Sequence, residues 1–247
     1  AGLAAASRVL KGFNDSLSVQ CLKIATELWD KTKEQNPMQR LRLAVELLIC
    51  TKDKKYASFL LGMKDKICAN IQNSAWIIGP ALPLINNAAY TKAIRESVKL
   101  YRAQVDLQEK KNPYGVPYEP DIWGAGWGIQ NLGVQQYYLH TCYPDIFPKD
   151  YMLHAMNFVL GCHPGSNTSS FASGVGSRSL TTAYGFNRAD WSYIPGGIGS
   201  GTALIRPNYP ELLTWPFLWQ QTEYVLGGGT TDYLFLILAA DHLLNKK

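Results

Sequence analysis

From residue 16 to residue 110 the chain repeats one pattern: a helical segment with an apolar stripe, a short turn, and another such segment, with little strand signal between. That repeat constrains the fold more than any other feature, because helices with apolar residues at three- and four-residue spacing must bury those stripes against other helices. After Leu17, the residues Val19, Leu22, Ile24, Ala25, Leu28 and Trp29 fall at mixed three- and four-residue spacing. Pro37 suits the first turn of the next helix, where a missing N–H costs nothing, and Leu41, Leu43, Ala44, Leu47 and Leu48 supply its stripe. Lys52 and Asp53 read as a turn, Tyr56, Phe59, Leu60 and Met63 as a further helix, and Tyr90 to Leu107 as a last one. The intervening IIGPALPLINNA is too rich in Pro and Asn for a helix interior and reads as a loop. The expectation is an all-α fold of stacked hairpins. The opening stretch is already helix-like at Leu3, Ala6, Val9 and Leu10, which reads as a start inside a domain.

With 247 residues, 47% of them hydrophobic and 17% charged, the chain has the length and balance for a sizeable core. Its net charge of +5 comes from Lys and Arg gathered in the first half, at Lys52, Lys54, Lys55, Lys64, Lys66, Lys110 and Lys111. These read as solvated helix faces, and with no base-reading motif the expectation is no nucleic-acid partner. Cys21, Cys50, Cys68, Cys142 and Cys162 lack CxxC spacing, so they suggest neither a zinc site nor a disulfide framework, and most read as small buried apolar residues. His140, His154 and His163 lack metal-ligand spacing, so no metal and no cofactor is expected. No apolar run reaches membrane-spanning length, and AGLAAASRVLKGFND has no hydrophobic core followed by a cleavage site, so the residues alone give no compartment.

Composition changes at Asn112. From there to Trp219 the chain is rich in Gly, Pro, Ser and aromatics, with two helices expected, about Trp127 to His140 and Pro148 to Gly161. Long irregular loops in a compact domain are uncommon and usually carry function. The loops Asn112 to Gly128 and His163 to Trp215 are therefore the expected binding face. A final helix from Thr231 to Leu243 needs a partner surface for its apolar residues, so a single domain is the simpler organisation.

Between Trp215 and Leu244, Glu223 stands between a group of aromatics and a Gly-Gly-Gly break. A carboxyl group poorly solvated there holds a proton near neutral pH, as a general acid must, whereas on a surface helix it does no more than face water. Asp232 reads as a first-turn helix residue favoured by the dipole. The loop carboxylates Glu119, Asp121, Asp190 and Glu211 remain open as further site residues. Trp123, Trp127, Tyr184, Trp191, Tyr193 and Trp215 are binding-face platforms or core aromatics, and their types alone favour the core.

Several stretches together resemble glycoside hydrolase family 9, the inverting cellulase family. FVLGCHPGSNTSSFASGVGS is similar to its YVLG-N-P-G-x-S-(F/Y)-x-(T/S)-G-x-G stretch, IPGGIGSG to its V-P-G-x-L-x-G-G loop, and NPYGVPYEPDIWGAGWG to its P-(F/Y)-G-V-P…W-G segment. WQQTEYVLGGGTTDYLFLILAA resembles the segment that bears the family's general acid, and AASRVLKGFNDSLSVQCLKIATELW and AVELLICTKDKKYASFLL resemble its upstream hairpins. The resemblance covers nearly all of the chain in the family's order. It implies an (α/α)6 barrel, a six-hairpin toroid whose long irregular loops form the active-site face.

Carried over by position, the resemblance makes Glu223 the general acid and has Arg188 keep a sugar contact; with a sugar substrate implied, Asn187, Trp191, Trp127 and Tyr184 are the further expected substrate-binding residues. It implies secretion or a periplasmic location. Three positions depart from the pattern. Phe186-Asn187-Arg188 stands where the family has His before Arg, Thr214 where it has an Asp upstream of the acid, and Gly228-Gly229 where Asn-Ala or Asn-Ser follows the acid. The family's D-A-G-D or D-G-G-D motif, which holds the general-base Asp, does not occur. The resemblance therefore implies that residues 1–247 are the C-terminal half to two-thirds of one catalytic domain, with the base and the N-terminal part of the barrel outside this chain. The implied reaction is hydrolysis of β-1,4-linked glucan or a related polysaccharide or oligosaccharide with inversion. The alternatives are a carbohydrate-binding protein of the same fold without catalysis, and another α/α-toroid enzyme such as a polysaccharide lyase or one acting on uronic acids.

Overall fold

The computed structural model describes residues 1–111, 116–118, 125–162, 170–176, 179, 182–183, 195–199, 223–225 and 230–245. The elements among them are α1 (Gly2–Leu10), α2 (Asp15–Lys31), α3 (Pro37–Thr51), α4 (Lys54–Gly62), α5 (Lys64–Ala69), α6 (Ile71–Ile78), a 3-10 turn (Gly79–Ala81), α7 (Leu82–Ile85), α8 (Ala88–Lys111), α9 (Ala125–Cys142), α10 (Asp150–Val159), three strands, β1 (Thr182–Ala183), β2 (Ile198–Gly199) and β3 (Glu223–Val225), and α11 (Thr230–Asn245). The architecture is all-α, with one small sheet among the described residues. The chain packs as two compact units, Ala1–Arg102 with Thr141–Ile146, and Ala103–His140 with Phe147–Lys247.

In the first unit the turns are set by local chemistry. Asn14 caps α2 by accepting from the Leu17 N–H at 3.1 Å, and Asn36 caps α3 by accepting from Met38 at 2.9 Å, with Pro37 in the first turn. Lys52 ends α3 in the left-handed region (φ 58°), and Asp53 caps α4 by accepting from the Lys55 N–H at 2.9 Å. The α3 stripe is buried at Leu41, Ala44, Leu47 and Leu48 as the spacing predicts, and Val45 joins it.

Two expectations for this unit are corrected. On α2 the buried face is Ser18, Cys21, Ala25 and Trp29, whereas Val19, Ile24 and Leu28 are exposed. Small residues win that face because α1 packs closely on it: the Ser18 hydroxyl donates to the Ser7 carbonyl at 2.6 Å, and Ser7 is itself buried. IIGPALPLINNA is not a loop throughout. The 3-10 turn and α7 run through it until Asn86 turns left-handed (φ 47°), and Pro80 and Pro83 each stand in a first turn, where proline fits.

In the second unit the expected helices are present with shifted ends, at α9, α10 and α11. One cluster joins Val116, Ile129, Ala155, Phe158, Val159 and Phe171; another joins Val134, Met152, Met156, Leu236 and Ala239. Gly133 lets α9 approach its neighbours, since a Cβ there would lie 2.8 Å from Leu236 Cδ2 and 3.2 Å from Ala155 Cβ. Tyr151, on α10, brings its hydroxyl to Asp106 Oδ1 at 2.6 Å and Glu109 Oε2 at 2.9 Å on α8.

Candidate active site

The site is built outward from the end of α10. There the chain turns through Gly161 (φ 96°), and residues 170–176 fold back on the helix: the Phe171 N–H donates to the Val159 carbonyl at 2.7 Å, and the Phe171 ring stacks on Phe158 with centroids 5.3 Å apart. The buried Ser170 hydroxyl lies 2.5 Å from the Ala172 carbonyl and 2.7 Å from that of Val175, so its one proton holds the loop to itself. Gly176 has φ 86°, and a Cβ there would meet the Leu160 carbonyl oxygen and Ser170 Cβ at 2.5 Å each. Only glycine fits that position.

This loop is joined to the Pro-Gly-Gly loop through Ser173. The Ser173 N–H donates to the Gly197 carbonyl at 2.9 Å, the Gly196 N–H donates to the Ser173 carbonyl at 3.0 Å, and the Gly197 N–H donates to the Ser173 hydroxyl at 2.8 Å. One residue further on each side, Ala172 bridges Ile198. Ile198 opens β2, which runs antiparallel to β3 with Ile198 opposite Val225 and Gly199 opposite Tyr224. On the other side of β3, β1 runs parallel, with Thr182 opposite Glu223 and Ala183 opposite Tyr224. The sheet order is β1-β3-β2. Backbone from stretches far apart in sequence thus converges on the central strand that begins with Glu223, and a surface-helix reading of Glu223 is excluded because its backbone is strand.

Of the expected substrate-binding residues, Trp127 is described. It stands on the first turn of α9 and is 37% exposed, which a core aromatic would not be. On the same turn, a Cβ on Gly128 would lie 2.3 Å from the Tyr118 hydroxyl oxygen, so Tyr118, two residues after the buried Val116, packs against α9 at Gly128. Arg188, Asn187, Trp191 and Tyr184 lie outside the described residues, as do Trp123, Tyr193, Trp215, Glu119, Asp121, Asp190, Glu211 and His163. Asp232 is in the first turn of α11, as the dipole argument expects.

His140 Nδ1 is 2.9 Å from the Phe147 carbonyl, and His154 Nδ1 is 4.0 Å from Glu109, both ordinary polar contacts. All five cysteines are free thiols; Cys21 is buried, Cys50, Cys68 and Cys142 are half-buried and Cys162 is exposed, so the buried apolar reading holds for Cys21 and not for most of them. Burial pushes the Cys142 thiol and the Tyr233 phenol above their ordinary values. Among the described residues no group of three or more His, Cys, Asp or Glu side chains converges on one point, and no helix is long and apolar enough to cross a membrane. Sequence reasoning missed Ser173 and the small sheet. The single available signal was the alternation of Ser and Gly in SFASGVGS, which marks a loop without naming its partner.

No protein-family model matches the chain, and no curated protein matches it by sequence. Solved structures match it by shape. An endoglucanase from the termite Nasutitermes takasagoensis superposes with a TM-score of 0.70 at 17% identity, over 96% of this chain and 63% of its own. The cellulase Cel9M of C. cellulolyticium, solved with cellobiose, gives a TM-score of 0.67 at 16% identity, over 97% of this chain and 62% of its own. The glycoside hydrolase family 9 endoglucanase J30 gives 0.65 at 16% identity, over 96% of this chain and 52% of its own. The chain has the all-α toroid fold of these endoglucanases and spans between half and two-thirds of their length.

Proposed function

We propose that residues 1–247 are the C-terminal half to two-thirds of a family 9 type glycoside hydrolase domain, and that Glu223 is its general acid. The observation that carries this is that the Ser-Phe-Ala-Ser-Gly loop bridges Ile198 of the Pro-Gly-Gly loop through Ala172, and that the strand opened by Ile198 pairs with the Glu223 strand, since these are stretches that resemble the family's site segments. A short hydrogen-bonded strand holds its backbone more rigidly than a free loop, which suits a group that must meet one glycosidic oxygen. In the reaction Glu223 delivers its proton to that oxygen as the C1–O bond breaks and its electron pair stays with the leaving sugar. Water, deprotonated by an Asp outside this chain, bonds C1 from the opposite face, which inverts the anomeric centre.

The substrate is a β-1,4-linked glucan or a related polysaccharide or oligosaccharide. Trp127, Trp191 and Tyr184 supply flat apolar faces for sugar rings, and Asn187 and Arg188 supply donors and acceptors for hydroxyls. The N-terminal remainder of the domain is the partner that brings the base, and the protein acts outside the cell or in the periplasm.

The test is release of reducing ends from cellulose, glucomannan, xyloglucan and chitosan fragments by the full-length protein and its Glu223→Gln form. The expected result is hydrolysis by the wild type, reduced by about 10² to 10⁴ in the variant, the usual worth of a general acid. Hydrolysis that survives the substitution removes Glu223 from this role. Sugar binding without hydrolysis by the wild type selects the non-catalytic reading instead, and an unsaturated product selects a lyase.

A further inference from the structure

β2 has two residues and β3 has three, too few to hold their own register. A one-residue slip in such a pairing exchanges the two faces of a strand, and on β3 that exchange displaces the residue at 223. Something outside the sheet must therefore fix β2. Ser173 occupies that place. It is buried, its N–H and carbonyl clamp Gly197 and Gly196, and its hydroxyl accepts from the N–H of Gly197, the residue immediately before β2. On its other side Ser173 is tied to α10, through Phe171 bonded to Val159. The path is continuous: α10, loop 170–176, Ser173, Gly197, Ile198, then Val225 and Tyr224 beside Glu223.

We propose that Ser173 is a positioning residue for the general acid, and that its side-chain bond to Gly197 fixes the register in which the Glu223 strand is held. The inference rests on the general-acid reading of Glu223. Ser173 acts on one chemical event, delivery of the proton to the leaving oxygen. Its loss is then felt with a leaving group that needs a proton and not with one that departs unassisted.

The experiment compares the full-length wild type with Ser173→Ala and Ser173→Thr on two substrates: cellotetraose, whose sugar leaving group needs protonation, and 2,4-dinitrophenyl cellobioside, whose phenolate leaves without it. For Ser173→Ala the expected result is a kcat on cellotetraose lower by about tenfold to a hundredfold, the range for a small misplacement of a reacting group, with KM within about twofold. On the dinitrophenyl substrate kcat stays within about twofold, because no proton transfer is lost. Ser173→Thr, which keeps the oxygen, recovers most of the cellotetraose rate. An equal loss on both substrates, or no loss on either, overturns the proposal.

A second measurement needs the wild type alone. In hydrogen exchange, segments 195–199 and 223–225 exchange as one unit if the clamp holds them, and rapid exchange of the first beside protection of the second overturns the proposal even where Ser173→Ala does not fold. The two levels of the reading separate cleanly. Normal cellotetraose hydrolysis by Glu223→Gln brings down both; a Glu223→Gln form active on the dinitrophenyl substrate alone, beside an unaffected Ser173→Ala, overturns the positioning role only.

Discussion

Replacing Gly133 by Ala sets two opposed effects against each other. Within α9 the substitution relieves the backbone entropy that glycine loses in a helix, which stabilises by about 1 kcal/mol. Against that, the new Cβ meets Leu236 Cδ2 at 2.8 Å, Leu236 Cδ1 at 3.2 Å and Ala155 Cβ at 3.2 Å. Leu236 is the end of a flexible side chain, but it is fully buried on α11 and cannot swing into solvent, and the Ala155 methyl on α10 has no rotamer to change. Overpacking of this kind costs about 1–3 kcal/mol, so the net expectation is a loss of about 1 kcal/mol. A double-mutant cycle with Leu236→Ala isolates the cause. Leu236→Ala alone loses about 2–5 kcal/mol, whereas in the Gly133→Ala background it loses at least about 1 kcal/mol less, because the added methyl occupies part of the space vacated. Urea unfolding followed by far-UV circular dichroism measures all four proteins. A Gly133→Ala form that is more stable by about 1 kcal/mol, the propensity effect alone, refutes the close approach of the three helices.

Two further perturbations address the first unit. Arg40 is buried, its guanidinium lies 3.7 Å from the centroid of the Trp29 ring, and it donates to the Trp29 carbonyl at 2.9 Å; Arg40→Lys, which keeps the charge but loses the planar stack, is expected to cost about 1–2 kcal/mol in urea unfolding. The Arg95 guanidinium beside Asp145 holds that carboxyl below its usual value. A depressed folded value means the pair stabilises above the unfolded pKa of about 3.9 and that this contribution disappears as pH falls through the folded value. The urea midpoint of Asp145→Asn is therefore expected below that of the wild type at neutral pH, with the two converging in strong acid; a constant gap across the range contradicts this assignment.

The helical half was legible where side chains announce the backbone. Pro37 at a helix start and the Lys52-Asp53 turn each carry a chemical reason that survives without tertiary context. Reading failed where the packing face is made of small residues. On α2 the spacing includes Ala25 and Trp29, which are buried, but also Val19, Ile24 and Leu28, which are exposed, while close contact with α1 favours Ser18 and Cys21, whose value lies in their size. At IIGPALPLINNA the two prolines read as breakers in the sequence, whereas each stands in a first turn, where proline ends nothing.

The site was legible in a different way. The segments that hold Glu223, Trp127 and the glycine-rich loops resemble family segments in sequence, but their mutual placement was not legible, for a physical reason. Strands of two and three residues have no periodicity to read, and their pairing is made by backbone groups that every residue possesses. Thr182 opposite Glu223 and Ile198 opposite Val225 are therefore joins that composition does not encode. Where a side chain enters such a join, a substitution reaches the site directly; elsewhere it acts only through the stability of the units around it. Ser173, with its hydroxyl on the Gly197 N–H, is such an entry, so its variants and those of Glu223 share one readout while Gly133 and Arg40 variants move stability and leave leaving-group dependence unchanged.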